Sequence, residues 1–301
     1  HLQPICQLHR SIWGEASHVL MSGVRVSIDL CEPASQQLKV QLEWTPRVVH
    51  QSWLLPIWTP GSYTVRDHAQ HLHSLELQQA GRTLHARRVG PSRWEIELST
   101  LEPVCLVYTL EARLLTVRTN YLDPNFASLC LPAVVMLIEG QRWSTHHLHL
   151  VLPSGWFGHV PLPSDDGVYE ARDFDHLVDA PVHAGPFQSN QFSVCGHQHE
   201  LLLIGDPPMG WPENLKSDIE DVCQAACKLI LSPPPAGDCY QLVIQLLDEG
   251  YGGLEHDHAA VLQFSWETLT KKDGSRQLLQ LLGQEYVHQW TVRRLRPSAY
   301  V

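Results

Sequence analysis

At 301 residues, 44% of them apolar, the chain is long enough for two compact bodies with cores of their own. Its net charge of −11 argues against a nucleic-acid partner or an anionic membrane surface. No apolar run approaches the roughly eighteen residues that a membrane span needs.

The first twenty residues mix His, Arg, Glu and Trp, so no secretory leader is legible, and the chain opens on His1 rather than Met. From there to about residue 160 the apolar residues recur with period two. Val24, Val26, Ile28 and Leu30 of VRVSIDL share one face, with Arg25, Ser27 and Asp29 opposite. Leu38, Val40, Leu42 and Trp44 of LKVQLEW repeat the pattern against Lys39, Gln41 and Glu43. RWEIEL, VCLVYTL and HLHLVL alternate in the same way, and QQAGRT between two such runs predicts a hairpin turn. Many short alternating strands broken by Pro and Gly imply an antiparallel β-sandwich-like domain over residues 1–163, able to stand without the remainder.

Beyond VLPSGW the spacing becomes helical. SDIEDVCQAACKLIL opens on Ser217 with Glu220 three residues later, a capping box. Ile219, Val222, Ala226 and Leu229 then follow at the period of a helix. SPPPAGD stops that helix, and CYQLVIQLL reads as a nearly continuous apolar strand. GYGGLEH, a polar loop and a further helix complete a mixed α/β domain over residues 164–301. Cys223 and Cys227, four apart on the first helix, are expected to be small buried hydrophobes rather than metal ligands. Eight scattered cysteines without a C-x-x-C pair favour a reducing, cytoplasmic compartment.

The last helix carries LLGQEYVHQW, one letter away from H-E-x-x-H. In that motif two histidines four apart grip Zn²⁺ from one helix face, and the Glu works on the bound water. Glu285 and His288 are in place, but Gln284 stands where the first histidine belongs. A neutral amide oxygen is a poor ligand for an ion that prefers imidazole nitrogen. His256 and His258 of EHDH, sharing one strand face, could join His288 in a replacement three-imidazole site. In YGGLEH, Gly252 and Gly253 would let another backbone approach, as a substrate strand adding to a sheet edge would. From those six letters alone, a turn with a solvated Glu is the simpler account.

Five separated segments bear on this choice: PIWTPGSYTVRDHAQH (56–71), VRTNYLD (117–123), DFDHLVDAPVHAGPF (173–187), YGGLEH (251–256) and QEYVHQWTVRRLRP (284–297). In that order they resemble the glycyl aminopeptidase family, zinc peptidases that usually carry a C-terminal PDZ domain. The family's matching stretches read W-T-P-G-S-Y-x-x-R, G-G-x-E-H and H-E-x-x-H-x-W-N-x-K-R-x-R-P. The resemblance implies that residues 164–301 are the front of a thermolysin-like, gluzincin catalytic domain. Its third zinc ligand, a Glu on the following helix, would fall past Val301. The resemblance also implies Glu285 as general base, His288 as a zinc ligand and Gln284 as a degenerate ligand position. Gly252, Gly253, Leu254, Glu255 and His256 become substrate contacts, with Glu255 holding the free α-ammonium. Trp58, Pro60, Gly61, Tyr63 and Arg66 form a signature best explained as a fixed turn with an aromatic–Arg contact.

Zinc is thus implied for the family and expected to be absent or weakly held in this chain. The expected activity is removal of N-terminal Gly or Ala from peptides, impaired by Gln284 and by the missing ligand. The alternative is a non-catalytic, peptide-binding pseudopeptidase. Either way a peptide is the expected partner, and nucleic acid and membrane are not. A catalytic domain cut after its metal helix would also bare Leu278, Leu281 and Leu282, favouring self-association or weak protection there.

Overall fold

The computed structural model describes residues 22–58 and 64–295. Alternating polarity lets a strand bury one face, and in the first half of the chain it builds an eight-stranded sheet. Its middle holds Val24–Asp29, Gln37–Trp44 and Val104–Glu111, with Val26 opposite Leu42 and Val40 opposite Tyr108. All four of these residues are buried, as the period-two pattern predicts. Pairing is antiparallel except where Val24–Asp29 runs parallel to His146–Val151. A second sheet, of four strands, joins the same core through the edge-on contact of Trp44 and Trp53, whose ring centroids lie 6.3 Å apart.

The hairpin expected at QQAGRT is present between Leu72–Gln79 and Arg82–Leu84. Ala80 and Gly81 at its tip have φ of 49° and 75°, the left-handed pair whose twist matches that of the flanking strands. Of the PGSY signature, Pro60, Gly61 and Tyr63 lie outside the described residues. Beside it, the Arg66 amide donates to the Ile57 carbonyl at 2.7 Å.

The first body does not end at residue 163. Ser164–Asp165 and Val168–Ala171 extend the eight-stranded sheet, and Val182–Gly185 pairs with Ala127–Leu129 in a third sheet. The Pro–Gly stretch in VLPSGW is a tight turn inside this body, closed by the Trp156 amide on the Pro153 carbonyl. A short helix, Phe174–Asp179, is also built in, capped by Asp173, whose carboxylate accepts from the His176 amide at 2.7 Å.

The second body is a five-stranded sheet in the order Asn190–Val194, His197–Ile204, Tyr240–Leu247, Ala259–Ser265, Tyr251–Glu255. The three inner strands are parallel and each outer strand is antiparallel to its neighbour. Ala259–Ser265 replaces the polar loop that the sequence suggested. It is buried on both faces, so its apolar run lacks the alternation that marks a half-exposed strand.

Two helices, Leu215–Ile230 and Gly274–Thr291, cover one side of this sheet and share its core. The first begins before Ser217, so the expected capping box is absent. Ser217 lies inside the helix and its hydroxyl donates to the Asn214 carbonyl at 2.8 Å. Leu229 is exposed rather than part of the inner face, which is formed by Leu215, Ile219, Cys223, Ala226 and Cys227. Nor is the apolar face of the second helix bare. Leu278, Leu281 and Leu282 are all buried, packed against the first helix and the sheet. Burying a side chain of this size stabilises by roughly 1.5–3 kcal/mol. Among the described residues no helix is long and apolar enough to cross a membrane.

Candidate functional site

The helix Gly274–Thr291 carries the Q-E-x-x-H stretch, and its inner face fixes the rotation of that stretch. Tyr286 is fully buried and makes an edge-on contact with Tyr240, their centroids 5.4 Å apart. Its hydroxyl lies 2.9 Å from His199 Nε2. His199 Nδ1 lies 3.1 Å from the His197 carbonyl, an acceptor only, so Nδ1 carries the proton and Nε2 accepts from Tyr286. Burial lowers the His199 pKa to about 4, which keeps the ring neutral for this role. With Tyr286 turned inward, Glu285 points along the helix flank at the edge strand Tyr251–Glu255, and Gln284 is exposed.

Gly253 is what admits the carboxylate. A Cβ at this position would stand 2.6 Å from the Glu285 carboxyl carbon, so any larger residue would push the group away. Gly252 has open space where its Cβ would be. The two glycines therefore differ: one receives Glu285, and the other leaves the outer side of the edge strand clear. Two residues along from Gly253, Glu255 projects to the same face, as strand alternation requires.

Glu255, Glu285 and His288 form, among the described residues, the one group of three acidic, His or Cys side chains whose ligand atoms all lie within 4.8 Å. His288 Nδ1 is 3.3 Å from Glu285 Oε2 and 3.7 Å from Glu255 Oε2. Glu285 is buried, and burial raises its pKa. Glu255 pushes the same way, while His288 and Arg118 act against the rise. The cluster combines two carboxylates and one imidazole, so its chemistry favours a cation.

The remaining expected site residues lie outside this cluster. Leu254 is buried. His256 and His258 lie in the turn after the edge strand and do not approach His288, so the three-imidazole site is not formed. His256 Nδ1 lies 3.4 Å from Asp179, and the His258 ring packs on that of His176. Asp179 also accepts from Arg293 at 2.7 Å and from the Asp257 amide at 2.8 Å, and Arg293 reaches Asp257 at 2.8 Å. Burial alone would raise the Asp179 pKa, but these partners hold its carboxyl well below the usual range.

This clamp joins the end of the motif helix, the turn after the edge strand and the first body. Beside it lies a shallow cleft lined among others by Thr116, Thr119, Cys130, Asp179, His183 and His256. Asp179, Asp257, Arg118 and Arg293 had no role assigned from sequence. Three of them do fall inside segments that carried the resemblance: VRTNYLD, DFDHLVD and VRRLRP.

The zinc arrangement expected from the motif resemblance does not fit the residues present. The arrangement that the resemblance implies would need imidazoles on one helix face at 284 and 288, and position 284 offers an exposed amide. His288 is the one imidazole in the cluster, and it faces two carboxylates rather than a second histidine.

Comparison with known proteins places the chain. A crystal structure of an aminopeptidase N family protein from Idiomarina loihiensis superposes with a TM-score of 0.83 at 26% identity, over 92% of this chain and 49% of that one. The chain thus spans about half the length of that relative. Legionella pneumophila aminopeptidase A, in complex with aspartic acid, shares the fold at a TM-score of 0.51 and 14% identity, over 89% of this chain and 34% of its own. No curated protein matches the sequence. The family model described as the peptidase M61 N-terminal domain matches residues 25–186, more than half of the 301. The chain belongs to the peptidase M61 family.

Proposed function

We propose that this chain comes from a zinc aminopeptidase lineage and binds the N-terminal end of a peptide along the edge strand, with hydrolysis impaired at Gln284. The observation that carries the reading is the convergence of Glu255, Glu285 and His288 beside an open sheet edge, while position 284 holds an exposed amide. Tyr251–Glu255 is the last strand of its sheet, so its outer N–H and C=O groups are available to an added strand. A peptide pairing there would bring its free ammonium to Glu255, selecting chain ends over internal segments.

In the lineage, zinc would acidify a water and polarise the scissile carbonyl. Without an imidazole at 284, Glu285 works against ordinary water, whose pKa of about 15.7 yields almost no hydroxide at neutral pH. Small N-terminal residues such as Gly or Ala are the proposed preference, following the glycyl aminopeptidase resemblance. The test is a titration with a glycyl peptide and its N-acetylated twin in the presence of chelator, beside a turnover assay. The free-amine peptide should bind, and both acetylation and Glu255→Gln should weaken it ten- to a hundredfold, the scale of one charge-assisted contact. Equal affinity for the two peptides would reject ammonium recognition.

A further inference from the structure

We propose that Cys195 and Cys227 form a reversible dithiol–disulfide pair, closed by a peroxide, whose state reaches the motif helix through Tyr286. Two elements assemble the pair. Strands Asn190–Val194 and His197–Ile204 are joined by a two-residue turn, Cys195–Gly196, with φ of 51° and 84°. So tight a turn leaves its residues little freedom, and a residue other than Gly in the left-handed region is uncommon. The turn holds the exposed Cys195 thiol over the helix Leu215–Ile230, where it donates to Gln224 Oε1 at 3.6 Å. Gln224 in turn donates to the Ser193 carbonyl at 3.3 Å, tying the helix to the hairpin. Three residues beyond Gln224, on the same helix face, stands Cys227. Its thiol is in hydrogen-bond contact with that of Cys195.

The two thiols differ in access. Cys195 is exposed and Cys227 is buried. Burial, reinforced by the neighbouring Cys195, pushes the Cys227 thiol pKa up, so Cys227 is the poorer first nucleophile. Among the described residues the pair belongs to no cluster of three His, Cys, Asp or Glu ligand atoms, so it lacks the ligand count of a structural metal site.

The Cys195 thiolate attacks one oxygen of hydrogen peroxide, the O–O bond breaks, and hydroxide leaves to take up the Cys195 proton as water. The Cys227 sulfur then attacks the resulting sulfenic sulfur. The S–S bond forms, the S–O bond breaks, and the hydroxide departs with the Cys227 proton as a second water. Two electrons pass from sulfur to oxygen, and an added dithiol reverses the bond by exchange. Cys227 is also hydrogen-bonded to Tyr286, the positioning residue whose inward turn aims Glu285. Drawing the Cys227 sulfur to Cys195 takes a partner from that hydroxyl, which keeps His199 at 2.9 Å.

The reduced 301-residue chain is treated with hydrogen peroxide, alkylated, and mapped by mass spectrometry. Two of the eight thiols should be lost in a Cys195–Cys227 cross-linked peptide and both regained with dithiothreitol. Cys195→Ser, at an exposed position, should abolish the bond, whereas Cys239→Ser, removing another exposed thiol, should leave it. No bond, a bond from Cys195 to Cys239, or one between two chains overturns the proposal. The Tyr286 ring protons should shift on oxidation of the unmodified chain and not of Cys195→Ser, and signals that stay fixed in both overturn the link to the motif helix. Neither measurement uses peptide, so this inference and the peptide reading can fail separately.

Discussion

In the first body the large sheet buries one face, and Arg25, Asp29, Lys39 and Glu43 line the half-exposed other side, where Arg25 pairs with Glu43 at 2.6 Å. In the second body the inner strands are covered twice. Leu242, Ile244 and Leu262 face the helices, while Val243 and Val261 face Val117, Phe126 and Phe187 of the first body. The second sheet thus relies on the first body to close it, and polar residues mark the seam. Gln245 is buried there, donating to Ser128 at 2.7 Å and to His183 at 3.1 Å, and accepting from Gln263 at 2.9 Å. A self-contained sheet needs no such network. A sheet completed by a neighbour does, and the candidate site lies at its free edge, next to that neighbour.

The largest test of this contrast is at the clamp. Arg293→Met leaves Asp179 and Asp257 near the seam without their cation, and breaking a buried pair costs about 3–5 kcal/mol. Chemical denaturation should show that loss. A change below about 1 kcal/mol would mean that the seam is held elsewhere.

Acid should weaken the seam next. His183 is buried and neutral, its pKa lowered by burial to about 3. The unfolded chain takes up this proton near pH 6.5, so between there and about 3 the unfolded state holds more protons and stability falls as pH drops. His183→Gln should flatten that part of the stability–pH curve. An unchanged slope would assign the acid sensitivity to other buried histidines, such as His146 or His199, both lowered to about 4 by burial.

Gly253→Ala should cost about 1–3 kcal/mol from overpacking against Glu285, and should weaken peptide binding. Gly81→Ala, at φ of 75° in the hairpin of the first body, should cost about 1 kcal/mol and leave peptide binding intact. If Gly81→Ala disturbed binding as strongly as Gly253→Ala, the separation of the two bodies' roles would fail.

The same contrast governs what the sequence reveals. VRVSIDL and LKVQLEW announced their buried faces because one side of each is half-exposed. Ala259–Ser265 was hidden because burial on both sides erases alternation. The end of the first body was hidden because its sheets continue past a Pro–Gly turn that looks like a boundary. The burial of Leu278 and Leu282 could not be foreseen, since Leu215–Ile230 covers them from far along the chain. In the site, Glu285 and His288 were legible from helix spacing, and Glu255 from the resemblance. The Asp179–Arg293 pair spans 114 residues, a separation over which no local pattern operates.

The central proposal is that this chain recognises peptide N-termini at Glu255 without cleaving them. Incubating the 301-residue chain and its Glu285→Gln variant with glycyl and alanyl substrates in the presence of Zn²⁺ tests it most directly. No turnover above background by either protein, with the free-amine peptide bound in a parallel titration in chelator, is the predicted result. Zinc-dependent cleavage by the unmodified chain that Glu285→Gln abolishes would contradict it.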